Sequence, residues 1–265
     1  MRMVPLLALA PHRSTTAGLL AEAARERGME VVILSRDGIP DRLRGSGSTH
    51  YYGGPHFASD AAGPLGLALL EPDEGWLDAL PYAFTGRRIK RVTLSQARRE
   101  KSPVFVKPPT DKSFPAAVYE DGSALQVLTP RSDPVVQVSE VVTWAQEFRL
   151  FLLDGEIRTG SQYATFGRLD AAPLEGHPDE GRIRDFAGRL TEACGATLPS
   201  GVVVDIGRMR GPGGRDAERW AVVEANMAWF STGYAADPAG ALDVVLRAAG
   251  PRGQVLGRDA RFCRP

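Results

Sequence analysis

The first 35 residues alternate between apolar runs and one amphipathic segment. Residues 4–9 and 31–34 are short apolar runs that are typical of buried strands. Between them, residues 14–27 carry leucines and alanines at helical spacing, with Ser14 or Thr15 as the N-cap. This β-α-β order predicts a parallel, Rossmann-like layer. The turn after the first run lacks the G-x-G-x-x-G phosphate loop of dinucleotide-binding proteins, which argues against a Rossmann-type dehydrogenase.

Beyond residue 100 the pattern changes to consecutive strands. Asp154-Gly155 is a strong signal for a type I′ hairpin, and the succession predicts an antiparallel sheet. We therefore expect an α/β protein with α+β character in its C-terminal part, divided into residues 1–85 and 86–265. Helices are predicted over residues 179–194 and from Pro238 at the first helical position to just before Gly250. The predicted strands are Val104 to Lys107, Ala117 to Tyr119, Leu125 to Leu128, Val135 to Val138, Phe148 to Leu153 and Glu156 to Gln162.

Two later strands carry oxygen-bearing side chains. Residues 202–207 include Asp205, and residues 222–227 include Glu224 and Asn226. Residues two apart in a strand point to the same face, so Glu224 and Asn226 should project side by side. Two carboxylates and an amide oxygen would make a hard-oxygen site suited to Mg²⁺. Alternatively, these side chains lie on the wet face of an ordinary strand.

Composition narrows the functional classes. Lys+Arg and Asp+Glu both number 32 in 265 residues, so the net charge gives no reason to expect nucleic acid or an acidic membrane surface as a partner. The absence of an apolar run near 20 residues argues against a membrane span. Cys194 and Cys263 are far apart without a second thiol or histidine at metal-ligand spacing, and a cytoplasmic location is the default expectation.

Lysine is rare in this chain, which makes its placement informative. Only four lysines stand against 28 arginines. Lys107 ends the apolar strand F-V-K-P, and Lys112 lies in the polar turn that follows. A strand-end lysine with a second lysine on a loop above it is a plausible clamp for a polyphosphate. The alternative is two surface lysines at a hairpin.

The order of these motifs resembles the ATP-grasp superfamily. The sequence has F-V-K-P, then V-S-E-V, then E-F-R-L-F, a D-G hairpin, V-V-D-I-G and finally V-V-E-A-N. The short distance from the basic run at residues 87–91 to F-V-K-P, the lysine that follows, and E-F-R are most similar to the R2K clade. The resemblance spans roughly residues 86–235. It implies an ATP-grasp fold preceded by a small pre-ATP-grasp domain.

The resemblance also implies roles for individual residues in an ATP and Mg²⁺ site. Lys107 and Lys112 would contact phosphates, the linker at Glu140 and Val141 would meet the adenine edge, and Glu147 would accept hydrogen bonds from the ribose. The residues implied as Mg²⁺ ligands are Asp205, Glu224 and Asn226.

One departure from the superfamily concerns the charge on the reacting centre. Many ATP-grasp ligases have an arginine two residues before the metal-binding aspartate, where this chain has Val203. Another group must then stabilise the tetrahedral intermediate. The candidates are Arg149, Arg158 and Arg208.

The hypothesis is an ATP-dependent carboxylate ligase that forms an amide through an acyl phosphate and releases ADP and phosphate. Its substrates would be a small-molecule carboxylate and an amine, such as an amino acid or peptide. Oligomeric state is left open, with a homodimer as one option. The alternative keeps the fold but gives an ATP-binding or phosphotransfer module that forms no amide. Substrate-pocket candidates are Arg158, Ser161, Tyr163 and Ser231.

Overall fold

A computed structural model describes residues 4–12, 14–108, 116–125, 133–210 and 218–264. Within these ranges the chain combines helices with four β-sheets, which confirms the expected α/β class. None of the helices in the described ranges has both the length and the hydrophobicity that crossing a bilayer requires.

The N-terminal layer is built on a parallel three-stranded sheet. In spatial order its strands are β2 (Glu30–Ile33), β1 (Leu6–Leu9) and β3 (Thr49–Tyr52). Helix α1 (Thr15–Glu26) connects β1 to β2, and the Ser14 side chain caps it by accepting a hydrogen bond from the backbone N–H of Ala17 at 3.1 Å. The predicted β-α-β start is therefore confirmed. Helix α2 (Pro55–Leu65) and strand β4 (Leu67–Leu69) follow.

The end of the chain packs back on this first layer. Helix α7 (Pro238–Ala248) places Leu242 and Val245 in the same core as Leu7 and Leu20. Strand β14 (Ala249–Pro251) then pairs antiparallel with β4. The division into residues 1–85 and 86–265 stays a prediction, as does the identity of the first part as a pre-ATP-grasp domain.

Two one-turn helices, α3 (Trp76–Ala79) and α4 (Tyr82–Thr85), lead to a four-stranded antiparallel sheet. Its spatial order is β5 (Ile89–Thr93), β8 (Val135–Ser139), β6 (Val104–Lys107) and β7 (Ala117–Tyr119). Alternate valines face a small core that includes the short helix α5 (Leu94–Ala97). Because side chains alternate, Lys107 points to the opposite face from Val106. The predicted strand over residues 125–128 lies outside the described residues beyond Leu125, which follows a short 3-10 turn.

The larger sheet has five antiparallel strands. In spatial order they are β11 (Arg168–Pro173), β10 (Glu156–Thr165), β9 (Thr143–Leu153), β12 (Gly201–Arg210) and β13 (Arg219–Asn226). Helix α6 (Glu180–Cys194) covers one face, where Phe186 and Leu190 share a core with Leu150 and Val204. On the other face, Phe151 and Val203 belong to the core of the N-terminal layer.

Two tight turns shape this sheet. At the predicted hairpin, Asp154 and Gly155 have φ values of 55° and 88°, as a type I′ turn requires at both central positions. Phe166 and Gly167 repeat this arrangement with φ values of 47° and 72° and begin β11, which the sequence did not predict. Phenylalanine is uncommon at positive φ, so F-G is a much weaker signal than D-G.

Candidate functional site

Three oxygen- and nitrogen-bearing side chains stand side by side across the five-stranded sheet. In the strand register, Asp205 of β12 lies opposite Arg149 of β9 on one side and opposite Glu224 of β13 on the other. Lys107, at the end of β6 in the other sheet, reaches Glu224. The cluster therefore lies between the two sheets, next to the region where the N-terminal layer covers the same face.

Arg149 and Asp205 form a buried, two-pronged ion pair. The Nε and one Nη of Arg149 donate to the two carboxylate oxygens of Asp205 at 2.9 and 2.7 Å. Their side chains are only 12% and 1% exposed. Burial opposes the charge of Arg149, but the facing carboxylate outweighs it and raises the pKa of the guanidinium. Burial also raises the pKa of Asp205, against the pull of Arg149.

Glu224 has a cationic partner of its own. Lys107 Nζ donates to Glu224 Oε2 at 2.9 Å, and the side-chain amide of Asn226 donates to Oε1 at 3.0 Å. The same amide lies 3.3 Å from Asp205 Oδ2 and so connects the two carboxylates. Burial alone would raise the pKa of Glu224, but Lys107 and Asn226 hold that pKa below its usual value. Glu224 and Asn226 thus project to the same side, as predicted.

The cluster offers the donor atoms that Mg²⁺ prefers. Asp205, Glu224 and Asn226 present two carboxylates and one amide, all carrying hard oxygen atoms. Among the described residues there is no group of three or more histidine, cysteine, aspartate or glutamate side chains arranged for a metal. The two carboxylates and the amide of this set suit an ion that takes a few protein oxygens and completes its shell with water or phosphate, as Mg²⁺ does.

Glu147 belongs to the same face, but its partner is neutral. The hydroxyl of Tyr163 donates to Glu147 Oε2 at 2.9 Å. The strand β10 has a bulge at Tyr163, where the register shifts between Gln162 and Ala164. This bulge interrupts the alternation of side chains between the two faces of the sheet. Burial raises the pKa of Glu147, and the hydrogen bond from Tyr163 only partly offsets that effect.

Two tyrosines form a wall beside Arg149. The rings of Tyr163 and Tyr234 are stacked, with centroids 5.2 Å apart and planes 15° from parallel. The Arg149 guanidinium carbon lies 5.6 and 5.4 Å from their centroids, within the range of cation–π attraction. Tyr234 has a φ of 52°, an uncommon left-handed conformation that its loop must sustain.

Three side chains from two elements, β10 and α1, hold that loop in place. Ser161 Oγ accepts from the backbone N–H of Ala235 at 3.1 Å, and Thr159 Oγ1 accepts from that of Asp237 at 2.8 Å. Thr16 of α1 accepts from the backbone N–H of Gly233 at 3.0 Å. Ser161, predicted as a substrate residue, therefore positions the loop that presents Tyr234.

The predicted adenine linker lies beside a cavity of about 610 Å³. Glu140 accepts hydrogen bonds from the backbone N–H and Nε of Arg88 at 2.8 and 2.9 Å, and with Arg88 and Ser139 it lines the cavity. Val141 lies in the segment between β8 and β9. Lys107 and the three predicted Mg²⁺ ligands do not line this cavity. The contact of Glu140 and Val141 with adenine stays a prediction.

Several predicted residues lie away from the cluster. Arg208 projects to the opposite face from Asp205 and lies 3.7 Å from Asp179 and 3.1 Å from Glu218, two carboxylates outside the cluster. Arg158 is 49% exposed and lies 3.9 Å from Asp243.

The Ser231 side chain contacts the backbone of its own loop and not the cluster. The Ser231 hydroxyl donates to the carbonyl of Met227 at 2.8 Å and thereby closes a short turn. The substrate-binding roles of Arg158 and Ser231 and the catalytic role of Arg208 stay predictions. Lys112 lies outside the described residues.

Arg87 is a supporting residue that the sequence did not single out. It is 6% exposed and donates to the carbonyls of Thr85, Val222 and Val223 at 3.0, 2.8 and 3.2 Å. Its guanidinium also lies 5.0 Å from the Trp144 ring. Burial lowers the pKa of Arg87 to about 10. Because it binds the backbone just before Glu224, it supports the strand that carries the cluster.

Comparisons with known proteins identify the family of the chain. A model of the family described as ATP-grasp domain, R2K clade family 2, matches residues 84–244, which confirms the resemblance noted in the sequence. No curated protein matches the chain.

Solved structures share the fold at low sequence identity. A RimK domain ATP-grasp protein from Sphaerobacter thermophilus superposes with a TM-score of 0.59 at 20% identity, covering 92% of this chain and 100% of that chain. The ATP-grasp ligase PsnB, complexed with precursor peptide PsnA2 and AMPPNP, gives 0.51 at 13% identity, with coverages of 93% and 98%. The D-alanine–D-alanine ligase from Bacillus anthracis, complexed with ATP, gives 0.50 at 14%, with coverages of 93% and 97%.

Proposed function

Because the chain belongs to the R2K clade family 2 of ATP-grasp domains, we propose that it is an ATP-dependent carboxylate–amine ligase. ATP phosphorylates a substrate carboxylate to an acyl phosphate, and an amine then displaces phosphate to form an amide. The observation that carries the proposal is the cluster of Lys107, Arg149, Asp205, Glu224 and Asn226, which four strands bring together.

The residues divide into those that bind nucleotide and those that bind metal. Lys107 provides a point charge for phosphate oxygens, and Glu147, oriented by Tyr163, accepts hydrogen bonds from the ribose. Asp205, Glu224 and Asn226 are the residues that would hold Mg²⁺. When bound, Mg²⁺ neutralises charge on the β- and γ-phosphates during phosphoryl transfer. The chain's own contribution is mainly orientation and charge stabilisation.

Bond changes in the two steps place specific demands on the site. A carboxylate oxygen attacks the γ-phosphorus while the bond to the ADP oxygen breaks. The amine nitrogen then attacks the acyl carbon, phosphate leaves, and the nitrogen loses a proton. Both steps build negative charge on oxygen, so a fixed cation is needed nearby. Arg149 supports this role because it is held rigidly by Asp205 and flanked by two tyrosines.

The structural neighbours guide the choice of substrates to test. One was solved with a precursor peptide and another is a D-alanine–D-alanine ligase. At 14% identity or less these neighbours support the fold alone, so the amine substrate of this chain has to be found by a direct screen. Amino acids and short peptides are the first compounds to supply as carboxylate and amine.

The test measures nucleotide products against a panel of carboxylates and amines. We expect ADP and phosphate to form only when both substrates are present, with one amide per ADP. The Glu224→Gln variant should lose turnover while keeping its fold. AMP and pyrophosphate as products would contradict the acyl-phosphate route. ATP turnover with phosphate transfer but no amide would instead favour a phosphotransfer module.

A further inference from the structure

Both acidic side chains that face the predicted metal position already contact a cation of the chain itself. Lys107 Nζ lies 2.9 Å from Glu224, and Arg149 donates hydrogen bonds to both carboxylate oxygens of Asp205. The two pairs differ in how far their side chains are exposed to solvent. Arg149 is 12% exposed and enclosed by two tyrosines, whereas Lys107 is 20% exposed and Glu224 is 35% exposed.

A divalent cation and Lys107 compete for the same carboxylate. Mg²⁺ and Mn²⁺ bind carboxylate oxygens directly, and Lys107 donates to a Glu224 oxygen. An ion entering at Glu224 without other ligands would meet the ammonium at close range, where partial burial strengthens the repulsion. Displacing Lys107 would leave its charge without a partner in a partly buried position, which is also costly.

A metal–nucleotide complex avoids this conflict because it brings its own anions. Phosphate oxygens can accept the hydrogen bond that Lys107 gives up, so Glu224 is released to the metal and the ammonium keeps an anionic partner. Arg149 remains with Asp205 throughout, since its fork and its aromatic neighbours hold it there.

We propose that Lys107 is a specificity-determining residue: by occupying Glu224, it makes the site accept a divalent cation as its complex with a nucleoside polyphosphate and reject the bare cation. This inference rests on the proposed nucleotide site. It does not depend on which carboxylate or amine the enzyme uses.

The test is a Mn²⁺ titration of the full chain, followed by the loss of the free-ion electron paramagnetic resonance signal. Without nucleotide, wild type should bind Mn²⁺ weakly, and Lys107→Gln should bind it at least tenfold more tightly. With AMPPNP present, wild type should gain much more Mn²⁺ affinity than Lys107→Gln does. Lys101→Gln removes the same charge from an exposed position and should behave as wild type.

Two further variants locate the effect. Lys107→Arg keeps the charge and should keep bare Mn²⁺ binding weak. Adding Glu224→Gln to Lys107→Gln should abolish the gained Mn²⁺ site. Equal bare-ion affinities in wild type and Lys107→Gln would overturn the inference, and so would a gain that survives loss of Glu224. If Lys107→Gln does not fold, Lys107→Ala carries the same expectation.

The outcome is separable from that of the proposed ligase activity. Mn²⁺ binding needs neither turnover nor a known acceptor, so a missing amide product would leave this result standing. Conversely, amide formation with unchanged Mn²⁺ affinity in Lys107→Gln would support the ligase and refute the role of Lys107 in selection.

Discussion

Two cation–carboxylate pairs have their carboxylates directly opposite each other on neighbouring strands, and the pairs have different roles. The Arg149–Asp205 pair uses two parallel hydrogen bonds on neighbouring strands and is almost sealed from solvent. The Lys107–Glu224 pair joins two different sheets through one hydrogen bond and is partly exposed. Breaking a buried, two-pronged ion pair destabilises the fold strongly. A partly exposed pair that is joined by one hydrogen bond can exchange one anionic partner for another at little cost in stability.

The choice of cation follows the same division. The guanidinium of Arg149 is planar and matches both carboxylate oxygens, and its pKa is raised so that it stays charged. Lysine offers a compact charge on a flexible stem, which suits a group that moves from a carboxylate to a phosphate. We therefore expect substitutions at the two pairs to separate stability from binding.

Arg149→Met should produce the largest loss of stability. It leaves Asp205 buried without its cation, which costs roughly 3–5 kcal/mol. The measurement is urea unfolding followed by circular dichroism. Adding Asp205→Asn should recover part of the loss because the isolated buried charge is then gone. A loss below about 1 kcal/mol for Arg149→Met would show that the Arg149–Asp205 pair contributes little to the stability of the fold.

Arg87→Met should come next, and it tests a buried arginine that donates hydrogen bonds to backbone carbonyls. Three backbone carbonyls lose their donor, and a hydrogen bond to a charged group contributes roughly 1.5–3 kcal/mol. We expect a loss of about 2–3 kcal/mol in urea unfolding. Nucleotide binding should weaken as well, because Arg87 supports the strand before Glu224. Wild-type stability in this variant would contradict the supporting role.

Lys107→Gln should change binding far more than stability. A partly exposed ion pair contributes at most about 1 kcal/mol to folding. Loss of one charge-assisted hydrogen bond to phosphate should weaken AMPPNP binding about 10- to 100-fold, as measured by calorimetry in Mg²⁺. If Lys107→Gln lost as much stability as Arg149→Met and bound AMPPNP normally, the Lys107–Glu224 pair would be the structural one, contrary to our assignment.

Glu147→Gln should give the smallest effect and the opposite sign. Glu147 has a tyrosine partner in place of a cation, and burial raises its pKa, so its ionised form disfavours the folded state. Replacing it should raise Tm by about 2–4 °C at neutral pH, equivalent to roughly 1 kcal/mol, while nucleotide binding weakens.

The pH dependence of that gain gives a control. A carboxyl whose pKa is raised by folding costs stability as pH rises above its ordinary value, and the full cost is present above the raised pKa. The advantage of Glu147→Gln should therefore disappear below the ordinary pKa of glutamate. A gain that persists unchanged in acid would assign the effect to packing and not to charge.

Much of the fold was readable because local signals and long-range pairing agree. Apolar runs marked the strands, and D-G marked the hairpin at Asp154. The sequence did not predict β11 because its F-G turn places a phenylalanine at positive φ and most of its side chains are exposed. The packing of α7 on the first layer also depends on contacts more than 150 residues apart, which periodicity does not report.

The part of the candidate site that could be predicted from the sequence is the part carried by two adjacent strands. Asp205, Glu224 and Asn226 meet because two adjacent strands carry them in register. The sequence did not distinguish the roles of the arginines, since Arg149 and Arg208 both lie in apolar strands yet face opposite sides of the sheet. Arg87 gave no signal because its partners are backbone carbonyls, which any sequence supplies.

The most direct test of the central claim is the Mg²⁺ dependence of AMPPNP affinity in wild type and in Glu224→Gln, measured by calorimetry. Glu192→Gln, at an exposed position on α6, is the matched control. If the clustered side chains form one metal–nucleotide site, Mg²⁺ should strengthen AMPPNP binding to wild type and to the control by at least about tenfold. It should have little effect on Glu224→Gln. Equal Mg²⁺ dependence in all three proteins would contradict the claim.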